Sequence, residues 1–302
     1  MTMPSNAEPQ IASATTRSTR PFYWSVRREL WENRAIYLAP LIAAAVVLAG
    51  IVFATVHPPQ FHQTGSGRHM SDAELRTLPY IIAAVAIMLI GVVVGIFYSL
   101  GALHNERRDR SILFWKSLPV SDRVAVASKA MIPFVVLPVC AFATMLVTHL
   151  LMLALHAASL AAHGQDPGLL LAQVPILKLW LVTGWGLVAF TLWWAPVWGW
   201  LFLISAWARR ITFVWAIAPP IALAVFERLA LGTDYVGKLL QYRLGGSSEV
   251  AFAVHAKGSP LINLPDPDPL GFLATPGLWI GLVIGAAFFA AAIWLRRRSE
   301  PI

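Results

Sequence analysis

Stretches of about 20 mainly apolar residues recur six times along this 302-residue chain, with polar segments between them. A helix needs roughly 20 apolar residues to cross the hydrocarbon core of a bilayer, so each stretch predicts a membrane-spanning helix. The predicted spans are 36–56, 79–103, 130–156, 176–207, 211–231 and 275–295. The pattern therefore predicts an all-α polytopic membrane protein with six transmembrane helices.

Composition excludes a soluble protein. Hydrophobic residues make up 58% of the chain and charged residues only 13%, whereas a soluble domain carries roughly 25% charged residues. The single cysteine, Cys140, has no partner for an intrachain disulfide and cannot build a Cys-based metal site.

The positive charges predict the orientation of the spans. Sixteen of the 23 Lys and Arg residues lie on the side of the membrane that carries both termini, and seven lie on the other side. Positive charge is enriched in cytoplasmic segments, so we expect both termini in the cytoplasm. Residues 1–20 are polar and lack the apolar region of a secretory signal, and we expect a disordered cytosolic tail there.

Residues 21–35 predict an amphipathic interfacial helix directly before the first span. One arc of the helical wheel is polar (Ser25, Arg28, Glu29 and Glu32), and another is apolar (Phe22, Tyr23, Val26 and Leu30). Such a helix lies along the membrane surface. It acts either as a simple anchor or also as a docking element for a partner.

The cytosolic loop 104–129, between the second and third spans, is the most distinctive segment. Charged residues come first (Glu106, Arg107, Asp109 and Arg110), and a short apolar run follows (Ile112, Leu113, Phe114, Trp115 and Leu118). Asp109 is placed to cap a short helix, Pro119 to end it, and Ser121 or Asp122 to cap the next helix. The apolar run is too short to span a bilayer. Either a partner or the protein's own helix ends must cover it, with the charged residues at an exposed polar rim.

The helix 21–35 and the loop motif from Glu106 to Asp122 together resemble the permeases of the ABC-2 family, the membrane subunits of ABC exporters. This resemblance implies a type V exporter-like fold and a permease dimer, homomeric or built with a close paralogue, in a bacterial inner membrane. It also implies that the loop couples the permease to a separate ATP-binding subunit. The exported compound would be amphipathic or hydrophobic, such as a lipid, a peptide or a drug.

We expect no catalytic activity in this chain. Residues 232–238 match a phosphate-binding loop except that Leu239 stands where Ser or Thr is needed, and the catalytic motifs of zinc proteases and serine hydrolases are absent. ATP and Mg²⁺ would therefore bind to the partner subunit. The alternative is a membrane sensor or scaffold that recruits an ATPase or another cytosolic partner without transport.

Three further features bear on a substrate pathway. Trp193, Trp194 and Trp198 crowd the middle of the fourth span, where they either pack or line a cavity. Glu227, beside Arg228 near the end of the fifth span, either marks an exit or reaches the surface. The outer loop 232–274 is predicted to form an ordered cap over the exit that packs through Leu261, Ile262, Leu264 and Phe272.

Overall fold

The computed structural model describes residues 21–56, 72–111, 113, 120–166, 168, 174–252 and 264–298. These residues form thirteen α-helices: α1 (Pro21–Glu32), α2 (Ala35–Val56), α3 (Asp72–Gly101), α4 (His104–Arg108), α5 (Asp122–Met131), α6 (Leu137–Ala162), α7 (Ile176–Trp193), α8 (Ala195–Trp207), α9 (Thr212–Leu231), α10 (Tyr235–Gly245), α11 (Ser247–Ala251), α12 (Pro269–Ala274) and α13 (Pro276–Arg298). A π-helical turn, Ile132–Val136, joins α5 to α6. Extended pairing in these ranges is limited to one bridge between Phe252 and Pro267.

Within the described residues, six helical segments are long and apolar enough to cross a membrane. They are Ala35–Thr55, Glu74–Arg108, Asp122–Ala162, Ile176–Trp193, Thr212–Leu231 and Pro276–Arg298. Each one overlaps a predicted span, although the second and third extend well beyond the predicted ends and the fourth covers only the first part of its span. The prediction of an all-α protein with several membrane-spanning helices is confirmed.

The fourth predicted span, 176–207, is not one continuous helix. It breaks at Trp194, which separates α7 from the shorter helix α8. Pro196 explains the break, because proline has no backbone N–H and its ring collides with the carbonyl four residues earlier. An unbroken helix over this range would be about 48 Å long, well beyond the roughly 30 Å hydrocarbon core.

The closest helix pair is α8 with α13, where glycines bring the two backbones together. A Cβ atom at Gly285 would lie 2.8 Å from the carbonyl oxygen of Ala195, and a Cβ at Gly199 would lie 2.8 Å from that of Gly285. On the other side of the bundle α2 packs against both α3 and α6. Glycine is therefore the residue that lets α8 and α13 touch.

The segment 232–274 carries three short helices, α10, α11 and α12. Phe272 is fully buried against Trp185 and Trp193, and Leu264 packs beside the core formed by α3, α6 and α7. Packing through Leu264 and Phe272 is as predicted, and a cap over an exit stays a prediction. Leu261 and Ile262 lie outside the described residues.

Candidate functional site: a buried charge cluster at one end of the bundle

Helix α1 turns Glu29 of its polar arc toward the protein, and Leu30 of the predicted apolar arc also packs against the core, whereas Glu32 is exposed. Glu29 is only 2% exposed, whereas Phe22, Tyr23, Trp24 and Trp31 are between 39% and 64% exposed. Aromatic side chains that face outward next to a membrane span favour a position at the bilayer surface. The polar side of α1 is consequently available to bind groups inside the protein.

Lys129 of α5 lies between two carboxylates from different helices. Its Nζ atom is 2.7 Å from Oε1 of Glu29 in α1 and 3.2 Å from Oε1 of Glu106 in α4. All three side chains are at least nine-tenths buried. The Tyr98 hydroxyl of α3 donates a hydrogen bond of 2.8 Å to the second oxygen of Glu29.

Arg296 brings the C-terminal end of α13 to the same site. Its Nη2 atom is 3.1 Å from Oε2 of Glu106, and its Nη1 atom contacts Oδ1 of Asp122, the first residue of α5. Arg28 adds a half-buried contact from α1, at 3.0 Å from Glu29 and 3.4 Å from Glu106. We refer to these side chains as the charge cluster: Arg28, Glu29, Glu106, Asp122, Lys129 and Arg296.

The charge cluster balances three cations against three carboxylates. Burying an ion costs several kcal/mol, and a buried pair offsets that cost only when its geometry and hydrogen bonds are good. The multiple short contacts meet this condition, and most of the cluster side chains line one small cavity. Loss of Lys129 would leave two buried carboxylates with fewer compensating cations.

The charge cluster connects helices on both sides of the segment 109–121. It joins four helices, α1, α4, α5 and α13, and it does so at both ends of the segment 109–121. Glu106 precedes this segment, and Asp122 follows it directly. A displacement of the segment would therefore pull on α1 and α13 through ion pairs.

The structure divides the predicted coupling residues into two groups. Asp109 and Arg110 are exposed, as a polar rim requires, but Glu106 and Arg107 are buried, so the prediction of an exposed rim was wrong for these two. The carboxylate of Glu106 is held by the charge cluster. A short bond from Arg107 Nη2 to the carbonyl oxygen of Ala208 holds its guanidinium.

The predicted caps also had mixed outcomes. Ser121 is the N-cap of α5, and its hydroxyl accepts from Val124 N at 3.3 Å, which confirms that prediction. Asp109 instead lies at the C-terminal end of α4 and forms an exposed ion pair of 3.2 Å with Arg108. Leu113 is 59% exposed. The remaining apolar coupling residues, Ile112, Phe114, Trp115 and Leu118, lie outside the described residues.

The residues predicted to line a substrate pathway lie in packed surroundings. Trp193 is fully buried against Tyr242 and Phe272, and Trp198 is buried with its ring against Gly95, while Trp194 is half-buried. The contacts of Trp193 favour the packing interpretation, whereas Trp198 also lines a small, mainly apolar cavity between α3, α6 and α7.

Glu227 has a local structural role. Its carboxylate accepts hydrogen bonds from the Thr233 hydroxyl and from the backbone N–H groups of Tyr235 and Val236, each at 2.7 Å. It thereby caps the first turn of α10, where backbone donors lack helical partners. This accounts for a buried carboxylate at that position.

Sequence reasoning missed Tyr98, Lys129 and Arg296 as members of the site. Lys129 and Arg296 counted only as positive charges beside spans, and Tyr98 counted only as part of an apolar span. A signal did exist, because Lys129 and Arg296 both follow apolar residues on the inward face of their helices.

Comparison of the chain with protein-family models, curated proteins and solved structures gives no match. Within the described ranges, no group of three or more His, Cys, Asp or Glu side chains is placed to hold a metal ion. The candidate site is the charge cluster, a set of ion pairs between α1, α4, α5 and α13.

Proposed function

We propose that this chain is the permease subunit of an ATP-driven ABC exporter of the ABC-2 type. It would work as a dimer with both termini in the cytoplasm and would receive energy from a separate subunit that binds ATP and Mg²⁺. The observation that carries this proposal is the charge cluster, because it ties both ends of segment 109–121 to helices α1 and α13.

The coupling step follows from this connection. Closure of the ATPase dimer would displace segment 109–121, and the buried ion pairs would transmit the movement to the spans instead of letting the segment move alone. Packed interfaces of this kind have discrete arrangements, so a small displacement can change the state of the bundle. The cavity between the spans would then open to the opposite side of the membrane.

A protein partner for this segment is supported by its exposed apolar residue. Leu113 is 59% exposed, and it follows the exposed ion pair of Arg108 and Asp109 by only a few residues. This arrangement is typical of a protein interface, in which an apolar centre is surrounded by polar residues. We propose that Leu113, Trp115 and their apolar neighbours enter a groove on the ATPase.

The first experiment tests the docking residue. Purification of the tagged permease from its native membranes should recover a subunit with ATPase activity, and Trp115→Ala should weaken that association. An aromatic anchor contributes about 2 kcal/mol or more, which corresponds to a roughly 30-fold loss of affinity. Trp294→Ala is the matched control, since Trp294 is an exposed tryptophan of α13, two residues before Arg296 of the charge cluster. It should bind the ATPase normally.

Two outcomes would contradict the proposal. A Trp115→Ala permease that melts earlier but binds the ATPase with unchanged affinity would show that Trp115 packs on its own helix ends. Binding of the ATPase without ATP-dependent movement of any lipid, peptide or drug in proteoliposomes would favour the sensor or scaffold alternative. Measurement of both affinity and thermal stability separates these cases.

A further inference from the structure

A second charged region lies where α4 meets the link between α8 and α9. The carbonyl oxygen of Ala208, directly after α8, is bound by Arg107 Nη2 and lies 3.1 Å from His104 Nδ1. The Ser205 hydroxyl accepts from the backbone N–H groups of Leu103 and His104 at 2.9 and 3.0 Å. These bonds fix the position of the residues that follow Ala208.

This region has an excess of positive charge. Arg209 and Arg210 are exposed, and within the described ranges neither forms an ion pair with a carboxylate. Arg209 lies close enough to Arg107 for the two positive charges to repel each other. Arg107 is only 7% exposed, and its Nε atom has no hydrogen-bond partner among these residues. The Nε atom of Arg296 in the charge cluster also lacks a hydrogen-bond partner, but each cation of the cluster pairs with a carboxylate, whereas Arg107 has no such ion pair among the described residues.

The N-terminus of α9 adds to the positive potential of this region. Its N-cap residue, Ile211, is in the left-handed conformation and supplies no side-chain hydrogen bond to the first turn. Free backbone N–H groups and the helix dipole both favour an anion at such an end. Together with Arg107, Arg209 and Arg210, this end of α9 forms a surface that we call the arginine patch.

Two tryptophans place the arginine patch at the level of lipid headgroups. The rings of Trp207, the last residue of α8, and Trp215, in the first turn of α9, meet edge to face with 5.1 Å between centroids. Both side chains are about half exposed. Tryptophan is enriched where the hydrocarbon core meets the headgroups, and both residues belong to apolar helices.

We infer that the arginine patch binds the phosphate headgroup of an anionic phospholipid, whose acyl chains would lie against Trp207 and Trp215. Guanidinium groups bind phosphate oxygens through two parallel hydrogen bonds. The bound headgroup would also relieve the repulsion between Arg107 and Arg209. This inference is independent of the proposed transport function, because it rests on a different surface and needs no ATPase.

The test compares phosphatidylglycerol with phosphatidylcholine, each added in mixed micelles to the purified full-length protein. Lipid binding is counted by native mass spectrometry, and thermal stabilisation is measured in parallel. Each hydrogen-bonded pair of a guanidinium and a phosphate contributes about a tenfold gain in affinity. Arg209→Gln with Arg210→Gln should therefore weaken phosphatidylglycerol binding about 100-fold and leave phosphatidylcholine binding unchanged. The double variant should fold normally, since both side chains are exposed.

Arg123→Gln is the matched control, because Arg123 is an exposed arginine of α5 at the same end of the protein. It should retain full binding of phosphatidylglycerol. Equal losses in the control and in the double variant would overturn the inference, since they would indicate diffuse attraction. An unchanged lipid preference in the double variant would also overturn it. The last measurement uses inorganic phosphate. If millimolar phosphate stabilised the protein as much as phosphatidylglycerol does, and the double variant lost this effect, the ligand would be a soluble anion instead of a lipid.

Discussion

Replacement of Lys129 by methionine tests the charge cluster directly. The substitution keeps an unbranched side chain, one atom shorter, and removes the cation that lies 2.7 Å from Glu29 and 3.2 Å from Glu106. Removal of one partner from a buried ion pair costs about 3–5 kcal/mol, because the remaining charge stays buried without compensation. Arg28 and Arg296 still contact these carboxylates. We therefore expect the free energy of unfolding of the variant to fall by about 3 kcal/mol, near the lower end of this range.

Asp109→Asn is the control in the same part of the chain. It breaks the ion pair between Asp109 and Arg108, whose side chains are 60% and 65% exposed. An exposed pair contributes only about 0–1 kcal/mol, so this variant should melt almost like the wild type. Thermal unfolding can be followed with a thiol-reactive fluorescent dye, since Cys140 is the only cysteine of the chain.

A double variant tests whether the buried charges of Glu29 and Lys129 are energetically coupled. Addition of Glu29→Gln to Lys129→Met removes a second buried charge, and the amide oxygen of the new side chain can still accept the hydrogen bond from Tyr98. The double variant should therefore be more stable than the sum of the two single losses predicts. Two results would show that the charge cluster is not a set of coupled buried ion pairs. One is that Lys129→Met melts at the same temperature as Asp109→Asn. The other is that the double variant loses as much stability as the two single variants together.

Two further predictions concern the membrane-spanning helices. The first uses cysteines in place of Ser111 and Ser247, in a background without the native cysteine. These cysteines should react with impermeant reagents from opposite sides of the membrane. Reaction of both from outside intact cells would refute the proposed topology. Gly285→Ala should lower the melting temperature, because its Cβ would meet backbone atoms of α8, whereas Gly50→Ala should not, since nothing lies within 4 Å of that site; equal melting of the two variants would refute the close packing of α8 on α13.

The sequence determined the spans and some of their ends. A window of about 20 residues is enough for this, because the thickness of the bilayer sets the length of a spanning helix and no tertiary contact is needed. The cap at Ser121 followed from the same kind of local reasoning, since it bonds to a backbone N–H only three residues away. The break at Trp194 had a visible cause in Pro196, but hydropathy alone did not separate one long span from two helices.

Only the tertiary structure decided which charged residues are buried. Lys129 and Glu29 are 100 positions apart, and Arg296 and Glu106 are 190 positions apart. Taken alone, each of these residues reads as an ordinary charge at the end of a span. Their burial depends on the packing of α1, α4, α5 and α13 into one end of the bundle. A charge is stable inside a protein only when its partner is present, and the pattern along one helix does not contain the partner that another helix supplies.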